Sequence, residues 1–244
     1  MTFTRAAEKA IDAVSEPSKR SRQRTAGVSD LVNPCDRCLT EVLLGLKRQE
    51  ERVALAPLLG TAFHALAEQS IRTVWCGDNL GLRAEVPLTV GTVGDIEIRG
   101  TADLVDFYEG EVLDWKVVSK KKIKAFRTAY VENRDGTFFD DNQTGSNLMR
   151  YFMQLQMYAH AVTESDFLEE KRPTHIDTVS LLLVPRDATT ETTQDIEQIT
   201  FRYDPEVYDS VMDRAEDLLA HEGPLDTVPS GPYCFACNNR TRLL

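Results

Sequence analysis

No apolar run in these 244 residues approaches the length of a membrane span, so no helical span is expected. The opening residues, Met1-Thr2-Phe3-Thr4-Arg5, lack the apolar core of a secretory signal. A cytoplasmic chain with reduced thiols is the expectation. There is no Gly-Lys-Thr/Ser phosphate loop and no internal repeat. Positive charge is also short: the net charge is −11, and its average field repels phosphate, which argues against a general nucleic-acid coating protein. Cysteine is scarce, yet four of the five form two Cys-x-x-Cys pairs, Cys35/Cys38 and Cys234/Cys237.

What is there is an ordinary globular composition, 42% hydrophobic and 27% charged, enough for one large domain or a domain with an appendage. The patterning predicts a helix and a flexible basic segment over 1–28, with Lys19, Arg20, Arg22 and Arg24 read as a solvated face. A single domain over 29–244 follows. Helices are expected over 37–47, with Leu39, Val42, Leu43 and Leu46 on one side, and from Pro57 to about 75. Strands are expected at 82–90, 93–99, 101–108 and 111–118, then a basic helix at 120–130, a mobile polar loop at 132–147 and a helix at 147–163. Strands at 176–185 and 195–203 and a helix from Pro205 to about 221 complete the chain. Helices on both sides of a mixed sheet make this an α/β fold.

The chemistry concentrates in Gly100-Thr101-Ala102-Asp103 and Asp114-Trp115-Lys116. With a two-residue turn at Glu109-Gly110, Tyr108 faces Glu111, Val105 faces Asp114 and Asp103 faces Lys116. Alternation then puts Asp103, Asp114 and Lys116 on one face. The two acids become diagonal neighbours, roughly 7–8 Å apart, spaced for one or two metal ions. Trp115, Leu104, Leu113 and Val117 fall on the other, core-like face. Two acids and a lysine so placed can hold a divalent metal and activate water against a phosphodiester. A salt-bridged exposed hairpin would carry the same residues.

His64 and Glu68 lie four apart on one helix face, where a neutral imidazole can ligate a metal and Glu68 can orient it; a surface His–Glu pair is the alternative. Gln154 and Tyr158, also four apart, can donate hydrogen bonds to phosphate or to a carboxylate. Lys120, Lys121, Lys122, Lys124 and Arg127 directly follow the acidic strand with no acid among them, a local phosphate-binding patch. The two Cys-x-x-Cys pairs point to a four-thiolate metal site joining segments roughly 195 residues apart. Cys76 is left over as a buried or edge residue.

The order His, Gly-x-x-Asp, Asp-x-Lys, Gln-x-x-x-Tyr, framed by cysteines, resembles the RecB-like nucleases of the PD-(D/E)XK superfamily from about Ser29 to Cys237. It looks most like the iron–sulfur branch that includes CRISPR-associated and phage-borne RecB-like exonucleases. The resemblance implies a restriction-endonuclease-like core with a cysteine-clipped cap formed by 29–50 and 222–244. It implies His64, Asp103, Asp114 and the Trp115 carbonyl as ligands of Mg²⁺ or Mn²⁺, Lys116 as the residue that orients water, and Gln154 and Tyr158 as substrate-side helpers. A four-iron, four-sulfur cluster on Cys35, Cys38, Cys234 and Cys237 is implied too.

That branch usually carries one N-terminal and three C-terminal cysteines, whereas here the split is two and two. A Cys₄ zinc site satisfies the same spacing. The activity implied is a metal-dependent DNA exonuclease acting on single-stranded or duplex ends, in phage or prokaryotic recombination, repair or end processing. A helicase or recombination protein would be its partner. The competing expectations are a non-catalytic DNA-binding accessory subunit and an end-trimming subunit of a spacer-acquisition complex.

Overall fold

The computed structural model describes residues 26–46, 55–74, 81–132, 143–165, 175–187, 196–234 and 236–237. Short helices at Val28–Leu31 (α1) and Asp36–Leu43 (α2) precede a long one, Leu55–Val74 (α3). Strands Leu82–Val93 (β1), Ile96–Asp106 (β2) and Glu111–Val118 (β3) follow, then helices Lys120–Glu132 (α4) and Gln143–Thr163 (α5). Strands Thr178–Pro185 (β4) and Glu197–Arg202 (β5) and helix Pro205–Leu219 (α6) come last, before a 3₁₀ turn at Leu225–Thr227. The expected helix at 3–15, the Lys19–Arg24 basic cluster and Cys76 lie outside the described residues.

The five strands make one mixed sheet in the order β1-β2-β3-β4-β5. All neighbours are antiparallel except β3 and β4, which run parallel from Glu111↔Thr178 to Val118↔Pro185. A parallel pair needs a crossover, and α4 with α5 supply it. Helix α5 crosses the sheet, touching β1, β2, β3 and β4, and buries Leu148, Leu155, Met157, Tyr158, Ala159 and Val162. Helix α3 lies against β1 and β3, and α6 against α5, β1 and α2. The expected α/β architecture, a mixed sheet flanked by helices with the cysteine-bearing segments brought together, is what the chain adopts.

Several boundaries differ from the sequence reading, each for a local reason. The predicted strands at 93–99 and 101–108 are one strand, because the turn is at Gly94-Asp95, where Gly94 supplies φ +54°. Helix α2 stops at Leu43 because Gly45 takes φ +67°, which leaves Leu46 exposed rather than on the core side. Helix α5 begins at Gln143, so the end of the predicted 132–147 loop is helical with Gly145 and Ser146 buried. Residues 133–142 lie outside the described residues.

The turn between β2 and β3 carries the correction that matters most. It is not the two residues Glu109-Gly110: Asp106 pairs with Glu111, Val105 with Val112 and Leu104 with Leu113. The Asp106 carboxylate accepts hydrogen bonds from the backbone N–H groups of Tyr108 (2.8 Å) and Glu109 (3.1 Å), holding four residues in the turn. Gly110 closes it at φ +65°, where a Cβ would stand 2.6 Å from the His175 carbonyl oxygen. The register therefore moves by two residues, an even step that keeps every side chain on its face. Burial follows the expectation only in part: Leu104 is buried on its expected face, but the rest of that face is not. Asp103, Val105, Val112 and Asp114 are the deeply buried set, whereas Leu113, Trp115 and Val117 are half-buried.

Candidate active site

The β2–β3 ladder ends at Leu104↔Leu113, and Asp103 and Asp114 stand just past that last pair, where the Asp103 carboxylate accepts the Trp115 N–H. In β1, Glu85 sits between Ala84↔Leu104 and Val86↔Ala102, which sets it opposite Asp103 on the other side. Acids from three adjacent strands thus converge here. Like charges directly opposite one another destabilise a sheet, so the row calls for cations. Glu85 also has φ +51°, the sole non-glycine with positive φ among the described residues. Such backbone persists where the surroundings impose it, commonly at functional sites.

His64, from α3, closes one side of the row. Its Nδ1 is 3.3 Å from Asp103 Oδ1 and 3.6 Å from Glu85 Oε1. Those two carboxylates hold the imidazole's pKa up at about 9, Asp103 contributing most. Burial works against the Asp103 charge. The His64 hydrogen bond, the Lys116 and His64 charges and the Trp115 amide nevertheless keep its carboxyl below the ordinary range. Asp103 Oδ2 accepts from the Trp115 N–H at 2.9 Å. The Trp115 ring meets Phe63 edge-on at 6.1 Å, so α3 is anchored beside the residue that presents His64.

Asp114 is 2% exposed, and burial pushes its pKa up to about 6, the charge of Asp103 adding to the effect and that of Lys116 opposing it. Lys116 Nζ is in ionic contact with Asp114 Oδ2. The contact is off the hydrogen-bond direction. Among the described residues, Asp114 Oδ2 is the one buried side-chain oxygen or nitrogen without a hydrogen bond. Burial would lower the Lys116 pKa, but Asp114 and then Asp103 raise it above the ordinary value, so the ammonium keeps its proton. Its Nζ also lies 5.0 Å from the centre of the Tyr151 ring.

Gln154 Nε2 donates to Tyr158 Oη at 3.1 Å. Tyr158 is 3% exposed, and burial raises its pKa. A Cβ on Gly100 would stand 2.5 Å from its ring, so that glycine admits the tyrosine against β2. The predicted basic run divides in two. Lys122 is half-buried with its Nζ over the rings of Phe126 (5.2 Å) and Tyr151 (6.0 Å), so Tyr151 links it to Lys116. Lys121 and Lys124 are exposed, and Arg127 pairs with Glu197 of β5 at 3.6 Å.

Glu85 and Tyr151 are the residues that sequence reasoning passed over. A hairpin counted back from the Gly94-Asp95 turn would set Glu85 opposite Leu104. A register shift between Thr89 and Gly91 moves it opposite Asp103, and nothing in the alternation of apolar residues reports that shift. The one available signal was an acid inside a strand pattern two residues before Pro87, an edge-strand feature.

The donor set suits a hard divalent cation. Ligand atoms of His64, Glu85 and Asp103 lie within 4.8 Å of one another; Asp114 is not in that trio, and its buried Oδ2 is in ionic contact with Lys116.

A second cluster stands apart from this one. Sulfur atoms of Cys35, Cys38, Cys234 and Cys237 all lie within 4.8 Å of one another. Cys35–Cys237 is 3.6 Å, Cys38–Cys237 3.6 Å and Cys38–Cys234 3.4 Å, far beyond a disulfide bond, and none of the four is in a disulfide. Burial pushes Cys38 and Cys237 up, the latter to about 11. Burial would also raise Cys35, but hydrogen bonds from the Gly231 and Cys38 backbone hold it below the ordinary thiol value.

The segments carrying these cysteines are bound by other contacts as well. Arg37 donates to the Val228 and Asp226 carbonyls at 3.0 and 2.9 Å. Arg214 of α6 grips Asp36 together with the Leu31 and Asn33 carbonyls.

No family model matches the chain, and no curated protein matches it. Solved structures do. The alkaline exonuclease LHK-Exo from Laribacter hongkongensis is 11% identical, with 92% of this chain and 97% of that one aligned and a TM-score of 0.49. The same enzyme in complex with dAMP aligns over the same shares with a TM-score of 0.46. The protein SSO0001 is 16% identical, with 91% and 88% aligned and a TM-score of 0.47. These are likenesses of overall shape, and the functional reading rests on the site's own residues.

Proposed function

We propose that the protein is a divalent-metal-dependent nuclease that hydrolyses DNA phosphodiester bonds at strand ends. The observation that carries this is the row Glu85–Asp103–Asp114 with His64 on one side and Lys116 on the other. Three carboxylates there face two cationic side chains, and the row is built to take a further cation.

His64, Glu85, Asp103 and Asp114 would hold Mg²⁺ or Mn²⁺, which would supply Lewis-acid polarisation of a phosphoryl oxygen and a lowered pKa for bound water. Lys116, kept protonated by its two acids, places a fixed positive charge where negative charge develops on the phosphate. His64 must give up its proton to serve as a ligand, so its ion pairs with Asp103 and Glu85 hold the ring in place until a cation arrives. Tyr158 and Gln154 form a donor pair on α5, the helix that also carries Tyr151 beside Lys116. Lys121, Lys122 and Lys124 on α4 extend positive charge away from the site along the path of a strand backbone.

The test offers end-labelled single-stranded and duplex DNA to the purified protein with Mn²⁺. Degradation is expected, and Asp103→Asn and Lys116→Gln should each lose it by about 100-fold or more. Cleavage undiminished in both variants removes the assignment. Metal-independent binding without any cleavage would favour an accessory role.

A further inference from the structure

We infer that the four cysteines hold a single zinc ion rather than a four-iron, four-sulfur cluster. A tetrahedral ion bonded to four thiolates at about 2.3 Å sets its sulfurs about 3.8 Å apart. In a cubane cluster each thiolate sits on a different iron, which holds the sulfurs roughly 6 Å apart or more. The sulfur separations here are 3.6, 3.6 and 3.4 Å, and no pair exceeds 4.8 Å. That space admits one ion and excludes a cubane.

The surroundings agree with a closed structural site. Cys35, Cys38 and Cys237 are buried, and the four sulfurs form their own cluster, separate from the main core. The Cys38 and Gly231 backbone groups hydrogen-bond the Cys35 sulfur, the kind of outer contact that fixes a thiolate ligand. The gap is also held by backbone: a Cβ on Gly231 would stand 3.2 Å from Cys35, and Arg37 N–H donates to the Pro229 carbonyl at 3.0 Å. Between single ions, an all-thiolate tetrahedron favours Zn²⁺ over Fe²⁺ in the usual divalent order.

The experiment uses the full chain, purified anaerobically from cells supplied with both iron and zinc. Metal and acid-labile sulfide are counted, the absorbance near 400 nm is recorded, and zinc-edge X-ray absorption is measured. One zinc per chain is expected, with four sulfur neighbours at about 2.3 Å and no band near 400 nm. Asp103→Asn should retain that zinc, and Cys38→Ser/Cys234→Ser should lose it. Iron in place of zinc, with or without sulfide, overturns the inference. So does metal-free protein, or zinc whose neighbours are nitrogen and oxygen. The wild-type spectrum decides the matter even where the double variant does not fold. Loss of nuclease activity has no bearing on this result.

Discussion

Replacing Glu85 by Gln removes one charge from the acid row and leaves the backbone at φ +51° unchanged. A carboxylate about 4 Å from a divalent ion is worth about 8 kcal/mol at an effective dielectric of 20, before desolvation is subtracted. Relief of the repulsion with Asp103 returns part of that. The loss that remains should resemble that of other supporting groups at metal sites, about 10–100-fold in affinity, or about 1.4–2.7 kcal/mol. By linkage the same energy disappears from metal-induced stabilisation.

For a chain of this size each kcal/mol moves the melting temperature by about 2–4 °C, so the Mn²⁺-induced shift should shrink by about 3–10 °C. Thermal unfolding of zinc-loaded protein with and without Mn²⁺, alongside calorimetric titration, reads both quantities. Glu85→Gly is the informative companion. It relieves about 1–2 kcal/mol of left-handed strain and costs about 0.5–1 kcal/mol in chain entropy. It should bind Mn²⁺ as poorly as Glu85→Gln while its unfolding without metal stays within about 1 kcal/mol of wild type. An unchanged Mn²⁺ affinity in Glu85→Gln would refute the assignment of this residue to the site.

Lys116→Ala should abolish cleavage and also destabilise the fold by up to about 3–5 kcal/mol, because it strips the partner from a buried carboxylate. Asp114→Asn in the same chain should restore stability in urea titrations and leave activity absent. His64 has a folded pKa of about 9 against 6.5 unfolded, so its contribution to stability is fully present below pH 6.5 and is lost as pH rises through about 9. Melting profiles without added divalent ion should show that loss, and His64→Gln should flatten it. Gly110→Ala should cost about 1–3 kcal/mol in denaturant unfolding, since φ +65° and the nearby His175 carbonyl both oppose a side chain. Lys121→Ala/Lys124→Ala should lower the salt slope of DNA binding by about 2, and Arg127→Ala, already paired with Glu197, by less than 1.

Period-two alternation was enough to place Asp103, Asp114 and Lys116 on one face, and it survived a wrong turn because the error was even. The partner of each residue was not legible. It depends on the Asp106 side chain holding two backbone amides, a contact that hydrophobic patterning does not record. Glu85 was hidden further, behind a bulge in β1 and a backbone angle that glutamate rarely adopts. The half-buried Trp115 looked like a core residue because its size is that of one, whereas its ring packs on Phe63 of α3. The cysteine pairs announced, through spacing alone, a cluster that could hold a metal. Which metal they suit is a question of ångströms between sulfurs, and only the folded chain brings Cys38 and Cys234 to 3.4 Å.

The cysteine clip also has a consequence in time. Cys38 and Cys234 are 196 positions apart, and a ribosome adding about 5–20 residues per second needs roughly 10–40 s to travel between them. During that interval the first two thiols wait without their partners while β1 through β5 can already pair. The clip therefore cannot close until Cys234 has been made, and a chain whose synthesis stalls earlier keeps Cys35 and Cys38 without their C-terminal partners.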